Sequence, residues 1–194
     1  YLEEFGPGDD VCLVLKVQDN SAPDLGAWRI QAEVEGMKRD LGKANGPPII
    51  ILSRILPRGQ MPSLYRAADC FVLPTRGEGW NMPAIEAMAC GLPVISTKWS
   101  GHLEFMNPDN SYLLEIEGLE PIPLLGTVND RIYAGARWAK PNFEHLRALL
   151  RYVYEHREEA RGVGMRASRE VRTGYSWRRA AQRAYRRLEE LHKG

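Results

Sequence analysis

The sequence has no long apolar run and little cysteine. None of its hydrophobic stretches approaches the ~18 residues that a membrane-spanning helix requires, although hydrophobic residues make up 44% of the 194 positions. The range 1–4 lacks the basic-then-apolar pattern of a signal peptide. Three cysteines cannot all pair; Cys12 and Cys70 lie within apolar runs, and Cys90 lies in a turn. We therefore expect a cytoplasmic protein with buried free thiols rather than disulfides.

Three further patterns are missing, and each argues against a class of site. The four histidines show no metal-ligand spacing with the cysteines, which argues against zinc. The segment 16–24 contains no glycine, which excludes the Gly-x-Gly-x-x-Gly loop of a Rossmann-type sugar-nucleotide epimerase. No serine, histidine and aspartate follow the order of a hydrolase triad.

Short and longer apolar segments alternate along the first 114 residues. The short ones are nearly continuous apolar sequence, which is typical of strands buried on both faces of a parallel sheet. The longer ones have helical spacing. This alternation predicts an α/β fold with a parallel sheet covered by helices on both faces. The predicted strands are 11–17, 48–53, 70–73, 93–96 and 112–114, and the predicted helices are 24–41, 61–68 and 82–89.

The rest of the chain divides into an irregular part and a helical part. The segment 118–140 is rich in proline and glycine and is predicted to be a surface excursion. From Asn142 onward the pattern predicts helix in three segments, separated first at Gly162 and Gly164 and then at 174–176. We assign this helical C-terminal segment, 141–194, to the same domain.

The helical end of the chain is basic. Residues 161–194 include ten basic and three acidic side chains, although the net charge of the whole chain is only +1. Such a segment could bind RNA or an anionic membrane surface, but the simpler interpretation is the solvated face of a packed helix. We predict that its apolar stripe packs on another domain or back on this one. The stripe consists of Trp177, Ala181, Ala184, Leu188 and Leu191.

The connection between the third strand and the third helix has the features of a ligand loop. Ligands of an open parallel sheet bind beyond the carboxyl ends of its strands. Gly77 and Gly79 permit positive φ and close backbone approach. Asn81 is a suitable N-cap, and Pro83 suits the first helical turn. The unpaired N–H groups over residues 80–84 would then form a diphosphate site.

Two glutamates flank that loop. Glu78 precedes the helix, and Glu86 lies one turn inside it. Carboxylates repel phosphates, so their expected targets are the hydroxyl groups of sugars. The alternative is that both are ordinary surface carboxylates.

A long ordered run surrounds the two glutamates. It comprises 64–75, Glu78-Gly79-Trp80 and 83–95, with seven residues between Glu78 and Glu86. This run closely resembles the donor-binding domain of the group 1 retaining glycosyltransferases, which have two Rossmann-like domains in the GT-B architecture. A looser resemblance extends over most of the chain and includes the runs 100–104 and 175–177.

The resemblance implies a single Rossmann-like domain and a role for each matching residue. Residues 1–194 would be the donor-binding domain, without the N-terminal acceptor domain and the first part of the donor domain. Glu78 would be the catalytic glutamate that contacts the transferred sugar. Glu86 would bind the ribose hydroxyls, and the backbone near Arg54, Ile55 and Leu56 would meet the base. The residues implied for the donor sugar and diphosphate are Gly77, Gly79, Trp80, Asn81 and Met82.

The sequence departs from the family pattern at three points. Asn81 replaces the usual glycine, and Trp80 replaces the usual phenylalanine. Asparagine tolerates left-handed geometry, but its side chain would occupy space beside the sugar. The basic pair that neutralises the diphosphate is absent, and Lys16 could partly substitute for it. No metal or other cofactor is implied, because helix N-termini and basic side chains replace the metal.

The implied function is donor binding by a glycosyltransferase of the hexosyltransferase type. The expected partners are a UDP- or GDP-linked sugar and the acceptor domain, with no nucleic acid; peripheral association with the inner membrane surface stays open. We expect this chain alone to transfer little or no sugar, since the other wall of the cleft is missing.

The alternative function is that of a non-catalytic module whose basic helices bind RNA or an anionic membrane. Trp80 is interpreted either as a wall of the site or as a core residue. His102 either contacts the donor or, in the preferred interpretation, is a loop residue.

Overall fold

The computed structural model describes residues 1–17, 26–124, 126 and 130–193. The chain forms two compact units, residues 1–61 and residues 62–194. Parallel strands flanked by helices make up most of it, which confirms the predicted α/β class with a helical C-terminal segment. The described strands pair as two parallel sheets and one antiparallel hairpin rather than as one sheet.

The first unit contains two strands and one long helix. Strand β1 (Leu13–Lys16) pairs in parallel with β2 (Ile49–Leu52), and helix α1 (Gly26–Asp40) lies between them in the chain. The prediction that these strands are buried on both faces is wrong. Val14 is 44% exposed and Ile50 is 53% exposed, because the described residues of this unit do not cover their side of the strand pair. The start of the predicted helix, 24–25, lies outside the described residues.

The second unit is built on three parallel strands. Their order is β3 (Phe71–Leu73), β4 (Val94–Thr97) and β5 (Tyr112–Leu114), and every residue of β4 is buried. Helix α2 (Met61–Arg66) precedes β3, and α3 (Met82–Ala89) connects β3 to β4. These bounds agree closely with the prediction, because short apolar strands and capped helices are encoded locally.

Segment 118–140 is not irregular as predicted. Strand β6 (Ile116–Pro121) pairs antiparallel with β7 (Arg137–Pro141), and a short helix, α4 (Asp130–Tyr133), lies between them. Gly118, at φ +148°, lies at a register shift of the hairpin. Such a bulge disguises the strand in the sequence, because alternation of polar and apolar residues is interrupted there.

Three helices complete the chain, as predicted: α5 (Phe143–Glu155), α6 (Arg157–Gly174) and α7 (Trp177–Lys193). The first break lies at His156 rather than at Gly162 and Gly164, which are inside α6. A Cβ atom on Gly164 would lie 2.2 Å from the carbonyl oxygen of Gly91. Gly164 therefore permits close packing of α6 beside α3 and does not end a helix.

Two core predictions need correction. Cys12 is exposed rather than buried; Cys70 and Cys90 are partly buried, and all three thiols are free. The apolar stripe of α7 does not pack back on the described residues, since Trp177 is 84% exposed and Leu188 66% exposed; its packing on another domain stays a prediction. Within the described residues, no helix combines the length and hydropathy needed to cross a membrane.

Candidate functional site

The site lies where two loops leave the carboxyl ends of β3 and β4. Because these strands are parallel and adjacent, both loops emerge at the same edge of the sheet. Side chains of β4 tie the edge together. Ser96 Oγ donates to the carbonyl oxygen of Leu73 over 3.0 Å, and Thr97 Oγ1 donates to that of Thr75 over 2.6 Å.

Asn81 caps the start of α3, as the sequence predicts. Its backbone is left-handed, with φ 64° and ψ 62°, and its side chain accepts from Ala84 N over 3.1 Å. The side chain is 3% exposed and faces Ser96, with 3.5 Å from Asn81 Nδ2 to Ser96 Oγ. The expectation that it projects beside the sugar is therefore wrong, because capping and β4 hold it inside.

Three N–H groups at the start of α3 have no acceptor within the described part of the chain. They belong to Trp80, Asn81 and Met82, since Ala84 N is already bonded to Asn81 and Pro83 has no N–H. Free N–H groups at the positive end of a helix dipole bind anions.

Gly77 and Gly79 differ from the prediction. Neither has positive φ, and a Cβ atom on either would meet nothing within 4 Å. The left-handed conformations at this edge belong instead to Asn81 and to Ser100, at φ 89°. The two glycines therefore leave open space beside the loop rather than turning its backbone.

Glu78 is half-buried, and its backbone is bonded to the loop after β4. Its N–H donates to Ser100 Oγ over 2.7 Å, and its carbonyl oxygen accepts from the Ser100 hydroxyl and from Gly101 N at 3.1 Å. A Cβ atom on Gly101 would lie 1.9 Å from the carbonyl oxygen of Gly79, so only glycine fits. The sequence alone assigns no role to Ser100 and Gly101, although their position after a predicted strand is a signal for a site.

Glu86 is exposed on α3 and has a partner that the sequence analysis missed. Tyr65, from the end of α2, donates its hydroxyl hydrogen to Glu86 Oε2 over 3.1 Å. Tyr65 is 7% exposed, so burial, and then the charge of Glu86, raise the pKa of its phenol. The phenol thus stays a donor, and it orients the glutamate.

Trp80 takes part in an aromatic cluster. Its ring lies 5.4 Å from that of Phe105 and 6.1 Å from that of Tyr175, measured between centroids. Phe105 is 3% exposed, whereas Trp80 is 39% exposed. Tyr175 donates its hydroxyl hydrogen to the carbonyl oxygen of Glu104 over 2.5 Å. Trp80 therefore packs against the core on one side and remains open to solvent on another, so both interpretations hold in part.

The hairpin is attached just before the glycine loop through Arg76. The Arg76 guanidinium lies over the Trp138 ring, 5.1 Å from its centroid, and pairs with Glu120. Glu120 also accepts from Trp138 Nε1 over 3.1 Å. A backbone hydrogen bond also connects β7 to Arg76, because Ala139 N donates to the Arg76 carbonyl oxygen over 2.9 Å. This anchor depends on the β6–β7 hairpin, which the sequence pattern does not predict.

His102 is a loop residue, as preferred, and it is not open to a donor. It lies in a 3₁₀ turn, Gly101–Glu104, and is fully buried. Its Nε2 atom lies 2.5 Å from the carbonyl oxygen of Thr97, which holds the turn against the end of β4. The ring is buried because it fills the space beneath the turn that Gly101 starts.

The remaining predicted residues belong to the first unit. Lys16 ends β1, and Arg54, Ile55 and Leu56 follow β2, so all four lie toward the carboxyl edge of that strand pair. Ile55 is 74% exposed. Their roles stay predictions. Within the described residues, no group of three histidine, cysteine or acidic side chains could hold a metal ion.

Sequence comparison relates this chain to one family. The family model "Glycosyl transferases group 1" matches residues 28–120. A D-inositol 3-phosphate glycosyltransferase from Actinosynnema mirum is 34% identical over 103 residues, which are 52% of this chain and 23% of the relative. The chain thus spans about a quarter of that protein's length.

Comparison of structures gives the same fold. The Anabaena protein Alr3699/HepE, solved in complex with UDP, superposes with a TM-score of 0.68 at 17% identity, over 97% of this chain and 43% of that chain. The C-terminal domain of a glycosyl transferase group 1 family protein (LpcC) from Francisella tularensis superposes with a TM-score of 0.58 at 18% identity, over 90% of both chains. These matches show a Rossmann-like domain of the GT-B type.

Proposed function

Since residues 28–120 of this chain match the family model of the group 1 glycosyltransferases, we propose that the chain binds a nucleoside-diphosphate sugar. It contributes the donor half of the active site for retaining transfer of a hexose to a sugar, lipid or polysaccharide acceptor. The observation that carries this proposal is the start of α3. The free N–H groups of residues 80–82 can bind an anion. They lie between Glu78 and Glu86, whose carboxylates can each accept hydrogen bonds from hydroxyl groups.

The diphosphate binds at the N–H groups of Trp80, Asn81 and Met82. The dipole of α3 adds partial positive charge there, so the site accepts an anion without a metal ion. Gly77 and Gly79 leave open space beside the loop, which gives the phosphates and the sugar access to the backbone.

The two carboxylates bind hydroxyl groups on either side of the diphosphate. Glu78 contacts the transferred sugar and stabilises positive charge that develops on it in the transition state. Glu86 accepts hydrogen bonds from the ribose hydroxyls, with Tyr65 holding one of its oxygens. A carboxylate with one oxygen fixed by a buried donor has fewer orientations to lose on binding.

For the first unit by itself we propose that the backbone near Arg54, Ile55 and Leu56 contacts a base and that Lys16 contributes positive charge. Both roles rest on the sequence resemblance. The nucleotide is UDP or GDP; the UDP complex of the similar Anabaena structure supports UDP as the first probe.

We propose that sugar transfer requires an acceptor domain in addition to the donor-binding domain, as the sequence resemblance implies. Residues 1–194 form the donor-binding domain with its helical extension, 141–194, and turn over little or no sugar alone. The full protein works in the cytoplasm, where peripheral association with the inner membrane would bring it to lipid acceptors.

A second candidate function rests on the exposure of α7. The side chains of residues 177–192 are solvent-exposed, and basic residues surround a stripe that includes Trp177 and Leu188. Such a helix could bind RNA or an anionic membrane surface. Binding of either should weaken steeply as salt rises, whereas nucleotide-sugar binding should depend on Glu86 and respond less.

Calorimetric titration of this chain with UDP, GDP and ADP tests the first proposal. We expect one nucleotide to bind and Glu86→Ala to weaken it about tenfold, the effect of removing hydrogen bonds to a charged group. Glu155→Ala, which removes an exposed glutamate at the end of α5, is the matched control and should leave the affinity unchanged. Binding that is equal in wild type and Glu86→Ala, or no binding of any nucleotide at millimolar concentration, would contradict the proposal.

A further inference from the structure

Ser100 has a backbone conformation that is nearly confined to glycine. Its φ of 89° and ψ of −166° place a non-glycine residue in a region where the Cβ atom clashes with the backbone. Glycine would adopt this conformation without strain. A serine at such a position therefore points to a use for its side chain, because the path of the chain alone does not require one.

The Ser100 hydroxyl has a single partner residue within the described part of the chain, and that residue is Glu78. The hydroxyl oxygen accepts from Glu78 N over 2.7 Å, and the hydroxyl hydrogen is donated to the Glu78 carbonyl oxygen. Gly101 N adds a second donor to the same carbonyl at 3.1 Å. Both backbone polar groups of Glu78 are thus bonded to the loop after β4.

The contact is close as well as polar. A Cβ atom on Gly101 would lie 1.9 Å from the Gly79 carbonyl oxygen and 3.1 Å from that of Glu78. The two loops therefore touch backbone to backbone. His102 fixes the second loop from below, because its buried ring is bonded to Thr97 at the end of β4.

We propose that Ser100 is a positioning residue that sets the backbone of Glu78, and through it the direction of the Glu78 side chain toward the transferred sugar. This role rests on the proposed function, since it assumes that Glu78 contacts the sugar of a nucleotide sugar. In its strained conformation, the Ser100 hydroxyl reaches both backbone polar groups of Glu78. Ser100 acts through Glu78 and not on the diphosphate, which the start of α3 binds.

The decisive variant is Ser100→Gly, because it removes the hydroxyl and relieves the strain together. A residue with a merely structural role would lose stability when its hydrogen bonds are removed. Here the melting temperature should stay equal or rise, while the Glu78 amide hydrogen should exchange with solvent at least about fivefold faster. Ser100→Ala should give the same faster exchange while keeping the strain.

The binding readout separates the sugar from the diphosphate. Wild type and variants are titrated with UDP and UDP-glucose, or with GDP and GDP-mannose if the guanine nucleotide binds. In wild type, the nucleotide sugar should bind more tightly than the nucleoside diphosphate. Ser100→Gly should reduce this ratio of affinities at least about threefold. The affinity for the nucleoside diphosphate itself should stay within about twofold of wild type. Glu78→Gln should change the same ratio.

The matched control is Ser111→Ala. Ser111 also donates its hydroxyl to a backbone carbonyl, that of Asn107 at 2.8 Å, but it precedes β5 and lies at the opposite edge of the sheet. It should change neither Glu78 exchange nor the affinity ratio. Unchanged exchange and an unchanged ratio in Ser100→Gly would overturn the role of Ser100 alone. A wild-type chain that binds no nucleotide would overturn the proposed function and this role with it.

Discussion

The hydroxyl of Tyr65 donates to Glu86 Oε2 over 3.1 Å, which joins the end of α2 to the exposed face of α3. The phenol is 7% exposed, while the glutamate is exposed. Burial and the nearby negative charge raise the pKa of Tyr65, so the phenol keeps its proton throughout the neutral range. The glutamate therefore has one fixed oxygen and one oxygen free for a ligand.

Tyr65→Phe should weaken nucleotide binding about three- to tenfold, because Glu86 loses the donor that orients it. The free energy of unfolding should fall by about 0.5–1.5 kcal/mol, the usual net contribution of one hydrogen bond. Calorimetry and denaturant titration measure the two effects. Tyr185→Phe, at an exposed position on α7, is the control and should change neither. An affinity that depends on Glu86 but not on Tyr65 would refute the orienting role.

Two glycines of α6 should respond to alanine in opposite directions. At Gly164 a Cβ atom would lie 2.2 Å from the Gly91 carbonyl oxygen, so α6 must move away from α3. Gly164→Ala should lower the free energy of unfolding by about 1–3 kcal/mol. At Gly162 the nearest atom is the flexible end of Arg166 at 3.7 Å, so Gly162→Ala should raise it by about 0.5–1 kcal/mol. Thermal unfolding followed by circular dichroism tests both, and equal effects would disprove the close packing.

Cys70 should make the protein sensitive to alkaline pH. Burial raises the pKa of its thiol from 9.0 to about 12. The folded state thus holds this proton more tightly than the unfolded state. Its contribution to stability is complete below about pH 9 and is lost as the pH rises from about 9 toward about 12.

The test compares the pH dependence of the free energy of unfolding in three proteins. Cys70→Ala should be less stable at pH 7, because it leaves a cavity, but its stability should fall less steeply above pH 9. Cys12→Ala, at an exposed thiol, should keep the wild-type slope. Burial also raises the pKa of Tyr112 to about 12. The free energy of unfolding of every variant should therefore still fall in part at alkaline pH. Identical slopes in wild type and Cys70→Ala would rule out the contribution of the thiol.

Arg76→Ala should loosen the hairpin without unfolding the sheet. It removes the contact with the Trp138 ring and the ion pair with Glu120, and both partners of that pair are about one-third exposed. Together these contacts contribute about 1–2 kcal/mol. Amide exchange over β6 and β7 should therefore accelerate about tenfold, while β4 keeps its protection. Arg131→Ala, an exposed arginine in α4, is the control, and undiminished hairpin protection in Arg76→Ala would show that the backbone contacts suffice.

The order of strands and helices around the site follows from short stretches of sequence. Helix α3 begins and ends where Asn81 and Ala89 predict, and Asn81 adopts the left-handed cap expected of asparagine. The run around Glu78 and Glu86 also predicts the family, which the family model and the relatives confirm. These features are encoded within a few residues, because capping, proline placement and apolar periodicity act locally.

The role of a glycine does not follow from its position in the sequence alone. Gly77 and Gly79 have no positive φ, and Gly162 and Gly164 do not end a helix. A glycine that allows close approach has the same letter as one that turns the chain, and only the neighbouring backbone distinguishes them. The β6–β7 hairpin was missed for a similar reason, since its strands depend on each other for pairing.

By itself the sequence determined the α/β class, the capped start of α3 and the two glutamates that flank it. Only the tertiary structure decided what holds those glutamates. Tyr65 is 21 residues from Glu86, and Ser100 is 22 residues from Glu78, so no local pattern connects either pair. Parallel pairing of β3 with β4 brings together the loops that follow these two strands. Polar groups that are buried there must form hydrogen bonds within the protein. Local periodicity sets the elements, whereas contacts between distant residues set the geometry in which a site can act.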